Sequence, residues 1–359
     1  MPYTSVGSLK PLGEFSLGDL EAMRLILHGD SVIDWHRLRF QSAEEARRFL
    51  VTHEFRPQLE SDRARLESLK NEAIAYLRRH FEFPIPGPVA RASVEDLLLL
   101  ASTKGHRQLC ACTILKCMHI IHHVDGRELL FSIPMADQEV FHLVEEKVYR
   151  VIGGMLAAGF PITEFVGGRK NKDSLFTKLL SKTDTTASAI YDKLRFRIVT
   201  RSADDILPVL LYLTDRLFPF NYVVPGQSTN TVLPFRSYCE EQPHLGAMLK
   251  ELQMPATDEL IQSDNRFSAE NFSVIHFVVD LPVRLPDSIT ALAPAAAKSL
   301  GPVIFVLCEF QLIDRGTSAS NERGAASHAN YKLRQKESVM RRLKLGMRST
   351  RESIRPKKN

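Results

Sequence analysis

Two long apolar runs near the C-terminal end do most to limit what this chain can fold into. They are FSVIHFVVDLPV, starting at Phe272, and PVIFVLCEFQLID, starting at Pro302. Both are rich in β-branched and aromatic residues, and their length and continuity suit central strands covered on both faces. LRFRIVT (Leu194 to Thr200) and NYVVPG (from Asn221) read as two further strands. Between them lies SADDILPVLLYLTDRLF, a helical pattern that carries Pro208 in its first turns. Strand, helix, then several strands with no helix between them predicts an α+β fold with an antiparallel or mixed sheet.

Upstream the pattern is helical from Ser16 to about Phe160. SLGDLEAMRLILHG opens on Ser16 as a cap, carries Leu20, Met23, Leu25 and Leu27, and stops at Gly29. SAEEARRFLVTH has Ser42 as cap with Glu45 three residues on. ESDRARLESLKNEAIAYLRRHF is a long amphipathic helix ended by PIPGP, and QLCACTILKCMHIIHHV and ADQEVFHLVEEKVYRVIGGMLAAGF follow. NERGAASHANYKLRQKESVMRRLKL closes the chain as a helix. The division is a helical region over 1–160, a mixed region over 161–332 and a basic tail over 333–359. Trp35, the only tryptophan, is expected in a core.

With 44% hydrophobic and 25% charged residues in 359, the composition is that of a globular chain rather than a disordered or fibrous one. No run of 18 apolar residues occurs, so no membrane span is expected, and the start of the chain lacks a basic-then-apolar leader. Five cysteines with no CxxC pair fit reduced thiols, and a cytoplasmic setting is expected. The net charge of +5 is uneven. Ten Lys/Arg against two Asp/Glu after Leu333 give the tail +8, leaving about −3 for the body. Such a tail suits RNA or another polyanion, although a solvated, frayed terminus is the favoured reading.

Three places offer chemistry. His119, His122 and His123 stand at i, i+3 and i+4 with Asp125 nearby, a spacing that permits a metal site on a helix. Neither HExxH nor an HD pair occurs, and core packing is the favoured reading of these histidines. GGRKNKDSLFTKLL sets Arg169, Lys170 and Lys172 before a helix that bears Lys178, a pattern suited to phosphate. Asp192 precedes LRFRIVT, and Glu309 interrupts an otherwise apolar strand, where an acid is costly unless paired or bound to a cation. Two strand-borne acids suit Mg²⁺-dependent phosphoryl or nucleotidyl transfer. Pairing with Arg195 or Arg197 is the plainer alternative.

The order of these pieces resembles the synthetase domain of the RelA/SpoT alarmone synthetases over about residues 167–332. The pieces are a basic loop with KxxxSLxxK, then YDKLRFRIV, FSVIH, CEFQL and ERGAASHANYK. The resemblance implies a nucleotidyltransferase-like mixed β-sheet flanked by helices. It also implies transfer of the β,γ-pyrophosphate of ATP to a nucleotide 3′-hydroxyl, with Mg²⁺ as cofactor. DxxxxRI matches Asp192, Arg197 and Ile198, which implies that Asp192 is a metal ligand. ExQ matches Glu309 and Gln311, implying a second acid that binds metal or activates the attacking hydroxyl. Arg169, Lys170, Ser174, Lys178, Arg197, Phe272, His276, His328, Tyr331 and Lys332 are the implied nucleotide-binding set.

Two segments depart from the pattern. The arginine of the family's RxK falls at Gly168, with Arg169 one residue on, and NGYQSIH reads ENFSVIH. Phe272 keeps a stacking face without the hydroxyl. Guanine nucleotide, adenine nucleotide and the 3′ end of a tRNA all remain open as acceptor. A degenerate, non-catalytic nucleotide sensor is the third reading.

Overall fold

In the computed structural model, the described residues are 8–36, 38–181, 193–252, 269 and 271–352. The side chains of 325, 328 and 344–352 fall outside the description. Among these residues the helices of ten residues or more are α1 (Leu17–His28), α2 (Ala43–Thr52), α3 (Glu60–Phe81), α4 (His106–Ser132), α5 (Asp137–Ala157), α6 (Lys172–Ser181), α7 (Ile206–Arg216) and α8 (His328–Glu352). The strands are β1 (Ile162–Arg169), β2 (Leu194–Thr200), β3 (Thr229–Asn230), β4 (Ile275–Arg284) and β5 (Val303–Asp314). They form one sheet in the order β1-β2-β5-β4-β3. β2 and β5 run parallel, and every other neighbour is antiparallel. The fold is α+β with a mixed sheet, as the order of sequence patterns predicts.

Local chemistry sets the helix ends. The Ser16 hydroxyl accepts from the Asp19 amide while the Asp19 carboxylate accepts from the Ser16 amide, and Gly29 ends α1 at φ 68°. Pro208 sits in the first turn of α7, where its missing N–H costs nothing. Two strand expectations are corrected. NYVVPG is a 3₁₀ turn (Phe220–Tyr222) followed by one bridge from Val223 to Val279, because Pro219 and Pro225 leave too little free backbone between them for a strand. ITEFVGGR, given no strand from sequence, is the edge strand β1. The tail expected to fray is helical through Glu352.

The main core joins both halves of the chain. One sheet face contributes Leu194, Phe196, Ile198, Phe277, Val279, Phe310 and Leu312, packed with residues of α1, α5 and α7. Phe310 lies 5.4 Å from Phe196 and 5.7 Å from Phe277, centre to centre. A second core lies among α2, α3 and α4 and buries Trp35. The Arg284 guanidinium of β4 makes a two-pronged contact with Asp62 of α3, at 2.7 and 3.0 Å. Helix α4 crosses the other sheet face so closely at Phe305 that Gly126 has no room for a Cβ, which would stand 2.4 Å from the ring.

Candidate active site

Alternation along three strands builds the polar part of that second face. In LRFRIV and CEFQL, Phe196 and Phe310 turn to the core, so Arg195, Arg197, Glu309 and Gln311 turn the other way. The parallel register sets Arg195 beside Glu309 and Arg197 beside Gln311, and the antiparallel register sets His276 opposite Gln311. The side chains then meet. Gln311 Nε2 donates to Glu309 Oε1 at 2.7 Å, and Arg195 Nη2 donates to Gln311 Oε1 at 2.8 Å. Arg195 Nε and His276 Nε2 each stand 3.5 Å from the same Glu309 Oε1. The Glu309 carboxylate is buried, whereas the Arg195 side chain is 43% exposed. A desolvated anion thus faces a cation still in reach of water.

The face continues toward the C-terminal end of β5. Arg197 Nη2 donates to Ser318 Oγ at 2.7 Å, on the short helix Arg315–Asn321. Asp314 caps that helix. Burial pushes its carboxyl up, but hydrogen bonds from Thr317 and Gly316 outweigh this and hold it below the usual range. Phe272 packs there on a small cluster of Val199, Val274 and Ile313. Arg197, Phe272, His276, Glu309 and Gln311, all predicted from sequence, are therefore carried on one face. Arg195 and Ser318 were not among the predicted site residues, although the Arg-Phe-Arg alternation was the signal for Arg195.

Other predicted residues stand elsewhere. Asp192 lies outside the described residues, as does the side chain of His328. Arg169 pairs across the ladder with core-facing Leu194, so it belongs to the opposite face. There its guanidinium donates to Glu145 of α5 at 3.0 and 2.8 Å and lies 5.8 Å from the Phe141 ring centre. Gly168 is the β1 residue across from Arg195, and a Cβ there would meet nothing within 4 Å. Asn171 caps α6 by accepting from the Ser174 amide at 2.8 Å. Ser174 and Lys178 are on α6, and Lys170 donates through its backbone N–H to the Lys193 carbonyl at 3.0 Å. Tyr331 and Lys332 are in the first turn of α8, whose Gln335 reaches Ser181 of α6 at 3.3 Å.

Glu309 supplies one hard carboxylate oxygen donor to this face. Among the described residues no group of three His, Cys, Asp or Glu side chains is placed to hold a metal unaided. One protein carboxylate completed by substrate phosphates and water is a common Mg²⁺ arrangement, so the donors present fit that ion.

The histidines of α4 are not ligands of one ion. His119 and His122 are buried, and burial followed by the neighbouring His53 lowers both well below the usual imidazole range. His53 is lowered to about 4, chiefly by burial. Asp125 is paired with Arg65 rather than with a histidine. His123 Nε2 meets Asp280 Oδ2 at 2.6 Å.

No protein-family model matches the chain, and no curated protein matches it. Solved structures do. The small alarmone synthetase 2 of Bacillus subtilis matches at 17% identity and a TM-score of 0.31, covering 63% of this chain and 97% of that one. The small alarmone synthetase 1 of the same organism matches at 16% and 0.29, covering 60% and 97%. A GTP pyrophosphokinase family protein from Streptococcus pneumoniae matches at 15% and 0.29, covering 60% and 90%.

Proposed function

We propose that the Glu309 face transfers the β,γ-pyrophosphate of ATP to the 3′-hydroxyl of a nucleotide. One observation carries the reading. Residues of the two matched motifs, Arg197 from DxxxxRI and Glu309 with Gln311 from ExQ, come from two strands onto one face, where Arg195 and His276 meet Glu309 Oε1.

In the reaction the 3′-oxygen attacks the β-phosphorus of ATP, a P–O bond forms, and the bond to the α,β-bridging oxygen breaks to release AMP. Glu309, together with Asp192, would hold Mg²⁺, which when bound neutralises charge on the phosphates. Arg195 stands beside Glu309 and half-exposed, so its guanidinium is placed to take the charge that develops on the transferred group. Gln311 ties Arg195 to Glu309 and fixes both rotamers. The Glu309 carboxylate accepts the proton of the attacking hydroxyl. The acceptor is a guanine nucleotide, an adenine nucleotide or a tRNA 3′ end, and the basic α8 would serve the last.

A second reading has its own observation. Arg195 already answers the Glu309 charge, with His276 Nε2 also at 3.5 Å, as they would in a nucleotide-binding protein without turnover. Incubating the purified protein with ATP, Mg²⁺ and each of GDP, GTP, ATP and bulk tRNA decides between them. AMP released with one acceptor supports transfer. Nucleotide binding with no AMP in any mixture supports the second reading.

A further inference from the structure

The outer side of helix α8 is a surface that the chemistry at Glu309 does not use. Its inner side packs on α6, where the Gln335 side chain is buried and donates to Ser181 Oγ at 3.3 Å. At about 100° per residue, Leu333 and Met340 fall within about 20° of each other, on the side away from Gln335. Leu343 follows about one turn beyond Met340. All three are open to water, at 54%, 47% and 53%. Lys336 and Arg341 are exposed as well and flank the line from Leu333 to Met340. Glu337 is the one acid among the described side chains of the helix.

Charge and apolarity thus coincide on one element. Over His328–Glu352 eight Lys/Arg stand against two Glu, a balance of +6. Arg355, Lys357 and Lys358 follow in the sequence. The body of the chain is near neutral, so attraction for anions concentrates here. A helix of low overall hydrophobicity, strongly basic and with large apolar side chains along one line, suits the headgroup layer of a bilayer. Its apolar residues dip toward the acyl chains, and its cations stay at the lipid phosphates. Lysine and arginine help twice, because their stems cover apolar surface while their charged ends remain in water. A nucleic-acid backbone would answer the cations alone, since phosphates and sugars offer nothing to Leu333, Met340 and Leu343. No described helix is long and apolar enough to cross a membrane, so the contact runs along the surface.

We propose that α8 docks on an anionic lipid surface, with Leu333, Met340 and Leu343 entering the interface and Lys336 and Arg341 meeting the lipid phosphates. The inference stands apart from the pyrophosphate reading and survives its failure.

Co-sedimentation of the full chain with vesicles tests it. One set holds three parts phosphatidylcholine to one part phosphatidylserine, and the other holds phosphatidylcholine alone. The expected result is binding to the anionic vesicles at least tenfold tighter than to the neutral ones, weakening as salt rises. Two double variants separate the contributions, Met340→Ser with Leu343→Ser, and Lys336→Gln with Arg341→Gln. All four side chains are exposed, so both proteins should keep the parental circular dichroism and melt. Each should bind anionic vesicles at least tenfold more weakly. Should a double variant lose the parental melt, Met340→Ser and Lys336→Gln alone decide, with losses of about threefold expected. No binding to anionic vesicles, equal binding to both vesicle types, or parental binding by the folded serine variant overturns the proposal. So does a gel shift of bulk tRNA by protein that leaves the vesicles unbound, which is the behaviour of a nucleic-acid surface.

Discussion

Replacing Glu309 by glutamine separates a reaction centre from a structural ion pair, because the two predict opposite outcomes. In the fold, Glu309 Oε1 accepts from Gln311 at 2.7 Å, with Arg195 and His276 at 3.5 Å. A glutamine keeps an oxygen for the Gln311 contact and removes only the charge. Arg195 is 43% exposed and rehydrates, while the desolvation of a buried carboxylate disappears, so the stability change should stay within about 1 kcal/mol. The reaction loses its metal-binding oxygen and its proton acceptor together. Removing one such preorganised group typically costs about 10³-fold, or about 4 kcal/mol of barrier. The assay is AMP release under saturating ATP and acceptor, with a thermal melt on the same sample. An unchanged melt with AMP release down by 10²-fold or more is expected. AMP release within threefold of the parent, above all with a melt lowered by many degrees, would refute the assignment and leave Glu309 a packing ion.

Arg195→Ala should lower AMP release at least tenfold, whereas Arg169→Ala, on the Glu145 side of the sheet, should leave it within threefold; equal losses would contradict the two-face placement. Gly126→Ala would force a Cβ to 2.4 Å from Phe305 and 2.8 Å from the Val303 carbonyl, so denaturant unfolding should show a loss of about 1–3 kcal/mol, and an unchanged midpoint would deny that close crossing. Asp62→Ala strands the buried Arg284 guanidinium and should cost about 3–5 kcal/mol by the same measurement, with a loss below 1 kcal/mol counting against the pair. Acid should weaken the fold. His53 has a folded value lowered from 6.5 to about 4, so its contribution is complete above pH 6.5 and is lost as pH falls toward 4, by about 3 kcal/mol. His119 and His122 act in the same direction. Asp215, raised to about 6 by desolvation and then by Asp19, acts oppositely, one group against three histidines. A melting temperature that stays flat from pH 7 to 4.5 would contradict this balance.

The strands that carry the site were legible because their side chains alternate. Phe310 between Glu309 and Gln311, and Phe196 between Arg195 and Arg197, announce one apolar and one polar face. The caps at Ser16 and Gly29 were legible for a similar reason, since short-range hydrogen bonds choose those residue types. What failed was non-local. Nothing in FVGGRK reveals that Arg169 turns to Glu145, twenty-four residues away, because the sheet face a residue occupies depends on a register set by its partner strand. The α4 histidines showed the reverse lesson. Their spacing permitted an ion but core packing was the favoured reading, and the fold buries His119 and His122 and sends His123 to Asp280.

The most direct test of the central claim follows the phosphate itself. The protein is incubated with Mg²⁺, an unlabelled nucleotide acceptor and ATP labelled in its γ-phosphate, and the products are separated by thin-layer chromatography. Label moving onto the acceptor, with AMP formed in equal amount, is the predicted result. Label that stays in ATP or appears only as inorganic phosphate, with GDP, GTP, ATP and tRNA each tried as acceptor, would contradict it.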